Sequence, residues 1–191
     1  MPNSLLASLE LAVSFLEKNK ILYAVIGGIA LPYWGAGRFT HDIDIKIIAP
    51  NLDYTKTRNL IRAAFPEHAQ IKAPHNPLII SVTIQGVITD FLLALPGYEE
   101  QIIERAVRHD LGGWSVRICS AEDLIIQKVV AGREKDWLDV EMLLIEQHAR
   151  LDYAYITDWL AQFADALDYV KLLQRYNELV EKLRKLKTEM D

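Results

Sequence analysis

Apolar and polar positions predict strands in the first part of the chain and helices in the second. Short aliphatic runs bounded by turn-forming residues are typical of strands, and two of them flank a Gln85-Gly86 turn, as in a β-hairpin. Apolar residues spaced three and four apart are typical of helices. The predicted strands are residues 21–26, 42–45, 78–84, 87–93 and 116–118; the predicted helices are residues 4–16, 29–34, 52–65 and everything from residue 121 onward.

This order of elements indicates an α/β core followed by a helical region. We expect residues 1–118 to form the core and residues 119–191 to form helices that pack on it, so that the two regions can also count as one domain. Residues 66–77 contain three prolines and two histidines and predict a loop. No internal repeat and no flexible linker divides the chain.

Two carboxylates share one face of the predicted strand 42–45. Successive side chains of a strand point to opposite faces, so Asp42 and Asp44 point together, while Ile43 and Ile45 point into the core. Two carboxylates on one face repel each other, and a divalent cation would remove that cost. Mg²⁺ prefers oxygen ligands of this kind, shared with substrate phosphates. The run therefore indicates a magnesium site.

A glycine pair separates the first predicted strand from the predicted helix 29–34, whose first turn tolerates Pro32. Backbone N–H groups of Gly27 and Gly28 can approach a phosphate closely, and the helix dipole adds partial positive charge. Taken alone, a glycine pair is also a common tight turn, and Asp-x-Asp also occurs on the solvent face of an edge strand. The order, spacing and strand context of the two motifs together make the signal specific.

Gly27-Gly28, thirteen intervening residues and Asp42-Ile-Asp-Ile45 together resemble the signature of the DNA polymerase β-like nucleotidyltransferases. The local pattern Gly-Gly…Gly-x-Arg-x-Thr-x-Asp-Ile-Asp is most similar to small bacterial members of the abortive-infection and toxin–antitoxin types. The resemblance covers roughly residues 21–145. It implies a small mixed β-sheet core flanked by helices, with a C-terminal helical extension.

The resemblance also implies a third carboxylate on a later strand, and Asp90 within the apolar run 87–93 is the candidate. Burying a charge among aliphatic side chains is costly without a partner, although Asp90 could also face solvent from a half-exposed strand. By resemblance, Asp42, Asp44 and Asp90 are the catalytic residues and the metal ligands. Asp90 would in addition help as general base for the attacking hydroxyl.

A second group of candidates lies on the predicted helices. The pattern Lys…Arg-x-Lys-Asp-x-x-Asp, from Lys128 to Asp139, resembles a segment of the abortive-infection type enzymes in which the lysine helps to bind the triphosphate and an acidic residue supports activity. The resemblance assigns these roles to Lys128 and Asp136. Alternatively, the Lys128 stem covers core while its amine reaches water, and Asp136 and Asp139 match the helix dipole.

Arg38 and Thr40 stand just before the predicted metal strand and are candidates for nucleotide binding. The planar guanidinium of Arg38 suits the geometry of a phosphate. It could equally form a structural ion pair with Asp44 or Asp90.

The motifs predict an Mg²⁺-dependent nucleotidyltransferase that transfers a nucleoside monophosphate from an NTP to a hydroxyl acceptor. Two Mg²⁺ ions on the three aspartates would position the triphosphate and activate the acceptor for in-line attack at the α-phosphate, releasing pyrophosphate. Acceptors implied by the resemblance are an RNA or tRNA end, or a protein side chain. A role as a toxin with a cognate antitoxin is compatible with this chemistry.

The alternative function is a non-catalytic module that binds a nucleotide or a partner on the same fold. The complete set of three carboxylates, Asp42, Asp44 and Asp90, counts against it. No residue distinguishes ATP from CTP or another nucleotide as the substrate.

Composition narrows the partners and the location. A net charge of −5 disfavours an extended nucleic-acid footprint, although the basic stretch 171–187 could meet RNA or an acidic partner instead of being a solvated helix face. No apolar run is long enough to cross a membrane, and the N-terminus lacks the pattern of a signal peptide. Cys119 is the single cysteine and fits a reducing compartment. These features predict a cytoplasmic protein.

Apolar residues of the last segment recur every seven residues, as in Leu172, Leu179 and Leu186 or in Tyr176, Leu183 and Met190. Two to three such repeats are short for an independent coiled coil. We expect this helix to pack against the core first, with homodimer formation as its second possible use.

Overall fold

The computed structural model describes residues 3–67 and 76–188. Contacts divide the chain into two compact units. The first unit is built from Met1–Ala30 and Arg38–Ser120, and the second from Leu31–Gly37 and Ala121–Asp191. Most of the predicted loop 66–77 lies outside the described residues, as does Met190 of the predicted seven-residue repeat.

Six strands of the first unit form one mixed sheet. They are β1 (Tyr23–Ile26), β2 (Asp42–Ile47), β3 (Ile79–Ile84), β4 (Val87–Leu93), β5 (Val107–Asp110) and β6 (Ser115–Ile118). Their order in the sheet is β3-β4-β2-β1-β6-β5. β2 is parallel to β4 and β1 is parallel to β6, whereas the other neighbouring pairs are antiparallel. The predicted α/β fold with a small mixed sheet is confirmed.

One face of this sheet is the hydrophobic core. Ile43, Ile45 and Ile47 alternate along β2 and are fully buried, and Phe91 and Leu93 of β4 continue the same layer. Helix α1 (Asn3–Lys18) packs against β2, β3 and β4. The opposite face of β2 therefore carries the polar side chains of the strand, as the alternation predicts.

Two further helices of the first unit are α2 (Tyr54–Ala64) and α3 (Tyr98–Glu104). α2 begins two residues later than predicted because the Asp53 carboxylate caps it by accepting a hydrogen bond from the Lys56 N–H. The residues before it, Pro50–Leu52, form a separate 3₁₀ turn. The sequence did not predict α3 or β5.

The segment after β1 is a 3₁₀-helix over Gly27–Trp34. The prediction of a helix over 29–34 with Pro32 in its first turn is therefore wrong about where the helix begins. Pro32 lies in the second half, where its ring removes one N–H donor from an already short and tight helix.

The second unit contains four α-helices: α4 (Ala121–Ala131), α5 (Glu134–Gln147), α6 (Tyr153–Ala166) and α7 (Lys171–Thr188). The predicted helical character of this region is confirmed. Gly132 separates α4 from α5 with a φ of +65°, a conformation that favours glycine. Gln147 donates to the Trp34 carbonyl at 2.8 Å, which holds the segment Leu31–Gly37 in this unit.

Helix α7 packs on α4, α5 and α6. Leu172, Tyr176 and Val180 are its buried positions, four residues apart, whereas Leu186 is 47% exposed. The buried stripe follows the ordinary spacing of a surface helix rather than a seven-residue seam. Among the described residues, no helix has both the length and the apolar character that crossing a membrane requires.

Candidate active site

Strands β2 and β4 bring the three predicted aspartates to one face of the sheet. Asp44 and Asp90 are direct partners in the parallel register, and Asp42 lies two residues before Asp44. Residues that face each other in a ladder, and residues two apart in a strand, point to the same side. Asp42 is exposed, while Asp44 and Asp90 are partly buried. This is the face opposite the hydrophobic core.

Asp90 is the least compensated carboxylate of this face. Its Oδ1 atom is buried and has no hydrogen-bond partner. Burial raises the pKa of Asp90; a hydrogen bond from Ser81 opposes this shift, and the negative charge of Asp42 adds to it. The fold thus holds the ionised carboxylate at a cost that a cation would remove.

The three aspartates fit Mg²⁺ as part of its ligand set, not as the whole of it. In the part of the chain that the structure describes, no group of three or more His, Cys, Asp or Glu side chains is arranged as a ready-made metal cluster. Mg²⁺ usually takes only one or two carboxylates and keeps waters and substrate phosphates as its other ligands. Such an ion would give the unpartnered Oδ1 atom of Asp90 a contact. It would also offset the repulsion between Asp90 and Asp42.

The glycine pair is pressed against the aspartate strand. A Cβ atom at Gly27 would overlap Oδ2 of Asp44, and Gly27 has a φ of +70°. A Cβ atom at Gly28 would lie 2.9 Å from Oγ1 of Thr40. Both positions therefore require glycine for the close approach of neighbouring side chains. Phosphate binding by the glycine N–H groups stays a prediction.

Thr40 and Arg38 lie on the same segment. The Thr40 hydroxyl donates to Oδ1 of Asp42 at 2.6 Å, so it orients a carboxylate. Arg38 donates to the Phe39 carbonyl at 3.2 Å, and its guanidinium lies beside Gly28. The structure therefore brings Gly28, Arg38 and Thr40 together at the start of β2.

In the second unit, Lys128 and its two aspartates form a buried ion cluster. The Lys128 amine lies 3.2 Å from Oδ1 of Asp136 and 2.7 Å from Oδ2 of Asp139. Arg133, whose side chain is 60% exposed, adds a hydrogen bond of 3.1 Å to Asp136. The alternative in which the Lys128 amine reaches water is wrong, because its side chain is only 7% exposed.

Charge is balanced within this ion cluster of Lys128, Arg133, Asp136 and Asp139. Burial alone would raise the pKa of Asp136, but the hydrogen bond from Arg133 and the charge of Lys128 outweigh it and lower that pKa. Asp136 therefore stays ionised with its cationic partners in place. The cluster joins α4 to α5 across the Gly132 turn.

Two residues of the carboxylate face were missed from the sequence. Ser81 pairs with Asp90 across the β3–β4 hairpin, and counting outward from the Gln85-Gly86 turn could have found it. Lys46 follows Asp44 on the same face, is buried, and forms an ion pair with Glu99 of α3. Its buried charge gave no sequence signal because its partner lies on a helix that was not predicted.

Solved structures with the same fold are nucleotidyltransferases or resemble them. An antigenic nucleotidyltransferase-like protein from Paracoccidioides brasiliensis matches with a TM-score of 0.55 and 15% identity, over 90% of this chain and 91% of that one. The antibiotic-resistance factor ANT(2'')-Ia matches with a TM-score of 0.55 and 15% identity, over 97% of this chain and 100% of that one. The lincosamide antibiotic adenylyltransferase LnuA matches with a TM-score of 0.51 and 15% identity, over 72% and 94%.

At this identity the likeness establishes the fold, and the family is established separately. No curated protein matches the chain. The model of the family described as "Nucleotidyl transferase of unknown function" (DUF2204) matches residues 5–175, most of the chain. The predicted relationship to the nucleotidyltransferase superfamily is confirmed, and the chain belongs to this family of nucleotidyl transferases.

Proposed function

We propose that the protein is an Mg²⁺-dependent enzyme that transfers a nucleoside monophosphate from an NTP to a hydroxyl acceptor. The observation that carries the proposal is the direct pairing of Asp44 with Asp90, beside Asp42, on one sheet face. The buried, unpartnered Oδ1 of Asp90 gives this face a demand for positive charge. The glycine pair lies against the same carboxylates, so a triphosphate and its cation would meet there.

Each aspartate has a distinct part in the proposed reaction. Asp42, held by the Thr40 hydroxyl, and Asp44, held against Gly27, would be the positioned ligands for Mg²⁺. Asp90 would be the third ligand and would accept the proton of the attacking hydroxyl on its unpartnered oxygen. Bound Mg²⁺ would supply charge neutralisation for the triphosphate and the developing oxyanion.

Backbone and cationic groups would bind the phosphates. The N–H groups of Gly27 and Gly28 open a 3₁₀-helix, and the Arg38 guanidinium lies beside Gly28. We assign the triphosphate tail to these groups because guanidinium and backbone donors both suit phosphate oxygens. Thr40 acts in this scheme through Asp42 and is a positioning residue.

Lys128 and Asp136 are assigned to nucleotide binding on the resemblance alone. Their contacts set a condition on that role: Lys128 would have to exchange one of its two carboxylate partners for a phosphate. The ion cluster would otherwise act only by holding α4 against α5. Loss of triphosphate affinity in a Lys128 variant, measured under conditions in which that variant is still folded, would support the binding role.

Similar structures favour ATP as the first nucleotide to test. ANT(2'')-Ia has been solved with adenylyl-2''-tobramycin, and LnuA is an adenylyltransferase solved with lincomycin. A small hydroxylated molecule therefore joins an RNA end and a protein side chain among the acceptors we propose. A toxin–antitoxin role with a cognate antitoxin remains part of the proposal.

The first test is calorimetric titration of the protein with each NTP in the presence of Mg²⁺. We expect saturable, Mg²⁺-dependent binding that is lost in the Asp42→Ala/Asp44→Ala variant. Asp158→Ala/Asp165→Ala removes two exposed carboxylates from α6 and is the matched control, because it changes net charge equally and leaves the carboxylate face intact. Retention of binding in the first variant would reject the assigned site.

Turnover is tested with NTP labelled in the α-phosphate. We expect the label to reach the acceptor while pyrophosphate is released. Mg²⁺-dependent NTP binding with no transfer to RNA, protein or small hydroxylated acceptors would instead favour a non-catalytic nucleotide-binding module on the same fold.

A further inference from the structure

The sheet face that carries the aspartates changes in charge from β2 to β3. Residues paired directly across neighbouring strands point to the same side of a sheet. The register therefore arranges this face in three rows, each running from β2 through β4 to β3. The rows are Asp42, Ile88 and Thr83; Asp44, Asp90 and Ser81; and Lys46, Leu92 and Ile79. Every member from β2 is charged, whereas the members from β4 and β3 other than Asp90 are not.

The uncharged members form a continuous surface around Asp90. In the described strands β3 and β4, Asp90 is the only ionisable residue. The other members from these strands are called here the uncharged strip: Ile79, Ser81, Thr83, Ile88 and Leu92. Within the three rows, Asp90 meets the uncharged strip before it, after it and on the side of β3, and it meets Asp44 on the side of β2. Asp90 therefore lies on the boundary between charged and uncharged surface.

The uncharged strip exposes an isoleucine next to two carboxylates. Ile88 is 45% exposed, and the other members of the strip are partly buried. Ile88 pairs directly with Asp42, and it lies two residues, about 7 Å, before Asp90 on the same strand. A single exposed apolar side chain is ordinary on a protein surface. This one would, however, contact any molecule that brings a hydroxyl to Asp90.

The proposed phosphate groups lie on the other side of the aspartates. In the sheet, β1 and β4 flank β2 on opposite sides, and Gly27 and Gly28 directly follow β1. In phosphoryl transfer, the attacking and the leaving oxygens lie roughly in line across the phosphorus. With the pyrophosphate held at the glycine pair on the β1 side, the attacking hydroxyl would enter from the β4 side. Asp90 and the uncharged strip lie on that side.

The chemistry of the uncharged strip selects among acceptors. An RNA strand needs cations for its phosphates, and the strip has none. A polycation needs carboxylates besides those that would hold Mg²⁺, and the strip has none of these either. Ile88 and Leu92 offer apolar surface, and the Thr83 hydroxyl offers one polar contact. Mostly apolar surface with a few polar groups suits a small organic ligand.

We propose that the acceptor is a small uncharged hydroxyl compound with an apolar part, which packs on Ile88 and the uncharged strip while its hydroxyl faces Asp90. This inference rests on the catalytic function proposed above and narrows its acceptors to one class. The acceptor oxygen bonds to the α-phosphorus, the bond from that phosphorus to pyrophosphate breaks, and Asp90 takes the hydroxyl proton. Charged acceptors, such as an RNA end or a polycationic sugar, become outcomes of the test.

The test follows the methyl signal of Ile88 in protein with ¹³C-labelled isoleucine methyl groups. The signal is identified as the one missing from Ile88→Val. The uncharged titrants are chloramphenicol and octyl glucoside, the latter below its micelle concentration; the charged titrants are tobramycin and a short RNA with a free 3′-hydroxyl. Each is added with Mg²⁺, once without nucleotide and once with α,β-methylene ATP, in which the bond that would break is blocked. We expect a saturable Ile88 shift with an uncharged titrant, at a Kd at least tenfold below that of either charged one.

Variants assign the effect to the uncharged strip. Ile88→Ala should raise the Kd of the uncharged titrant about three- to tenfold, because it removes apolar contact area. Val107→Ala is the matched control, since Val107 is a β-branched residue of the same sheet that is 41% exposed on β5; it should leave the Kd unchanged. Ile88→Glu adds a carboxylate and should lower the Kd of tobramycin about three- to tenfold.

Three results would overturn the proposal: no Ile88 shift with either uncharged titrant in both nucleotide conditions, equal weakening in Ile88→Ala and Val107→Ala, or tighter binding of tobramycin or RNA than of both uncharged titrants. Binding of NTP together with transfer to RNA or tobramycin alone would keep the catalytic function and reject this acceptor class. An Ile88 shift with an uncharged titrant, but no Mg²⁺-dependent NTP binding, would support the ligand class of the strip and reject the catalytic function.

Discussion

Two pairs of aspartates, one in each unit, show that closely spaced carboxylates can serve opposite purposes. Asp136 and Asp139 lie three residues apart on α5, and each contacts Lys128. Asp42 and Asp44 lie two residues apart on β2 beside Asp90, whose Oδ1 has no partner. The helical pair has its counter-charge within the fold, whereas the carboxylate face keeps one buried oxygen, Oδ1 of Asp90, without a hydrogen-bond partner. An unpartnered buried charge indicates a binding site more clearly than a buried charge alone.

The largest expected effect concerns the stability of the helical pair. Lys128→Met leaves two buried carboxylates without their shared cation and should lower the free energy of unfolding by about 3–5 kcal/mol, measured by urea denaturation. Lys182→Met is the matched control, because Lys182 is 65% exposed and lies 3.9 Å from Glu141. It should change stability by less than about 1 kcal/mol. An equal loss of stability in Lys128→Met and Lys182→Met would show that the buried ion pairs of Lys128 add nothing beyond an exposed one.

The next effect concerns activity of the strand pair. Asp44→Asn should lower the rate of pyrophosphate release about 100- to 1000-fold, because it removes a positioned charge from the reacting centre. Its melting temperature should stay the same or rise, since a repelling carboxylate next to Asp90 is lost. Asp158→Asn on α6 is the control for both measurements. A large loss of stability in Asp44→Asn would make this aspartate structural.

A smaller effect on stability and NTP binding would distinguish Gly27 from a glycine in an ordinary turn. Gly27→Ala should cost about 1–2 kcal/mol from its φ of +70°, and more if Asp44 cannot move away from the new Cβ. It should also weaken Mg²⁺-dependent NTP binding, because any relief of the overlap displaces Asp44. Gly37→Ala is the comparison, since a Cβ there meets nothing within 4 Å. Matching calorimetric titrations of the two variants would contradict a special role for Gly27.

The smallest effect is a difference in pH dependence. The lowered pKa of Asp136 stabilises the fold above the ordinary aspartate pKa, and this contribution is lost as pH falls through the lowered value. The raised pKa of Asp90 means that its ionised carboxylate destabilises the fold. This loss of stability is complete at pH values above the raised pKa, and it disappears as the pH falls towards the ordinary aspartate pKa. Asp90→Asn should therefore stabilise the protein at neutral pH, and Asp136→Asn should destabilise it, in urea titrations at several pH values.

Regular periodicity allowed most of the sheet to be predicted from the sequence. The alternation in β2 and the Gln85-Gly86 turn of the hairpin gave the carboxylate face, because both are local patterns. β5 was missed because Val-Arg-His-Asp has a single apolar residue and is held by its register with β6. α3 has seven residues, too few for a periodic signal.

The candidate site was less accessible to prediction than the fold. The sequence identified Asp42, Asp44 and Asp90 as candidates. That Oδ1 of Asp90 is buried without a partner could not be predicted, because it depends on how three strands pack together. The environment of Lys128 depends on a turn at Gly132 that folds α5 back onto α4. Contacts between residues eight and eleven positions apart across such a turn have no fixed sequence spacing.

The path of the chain between the two motifs limits how the protein can be divided. Gly27 and Gly28 belong to the first unit, as does β2, yet the intervening segment Leu31–Gly37 is folded into the second, where Trp34 is bonded to Gln147. A fragment ending at Ser120 would retain every aspartate of the carboxylate face but lose the support of that segment. Cutting or fusing the chain at Ser120 would therefore remove the unit that holds the segment between the glycine pair and β2. The two units should be kept together in any engineered version of the protein.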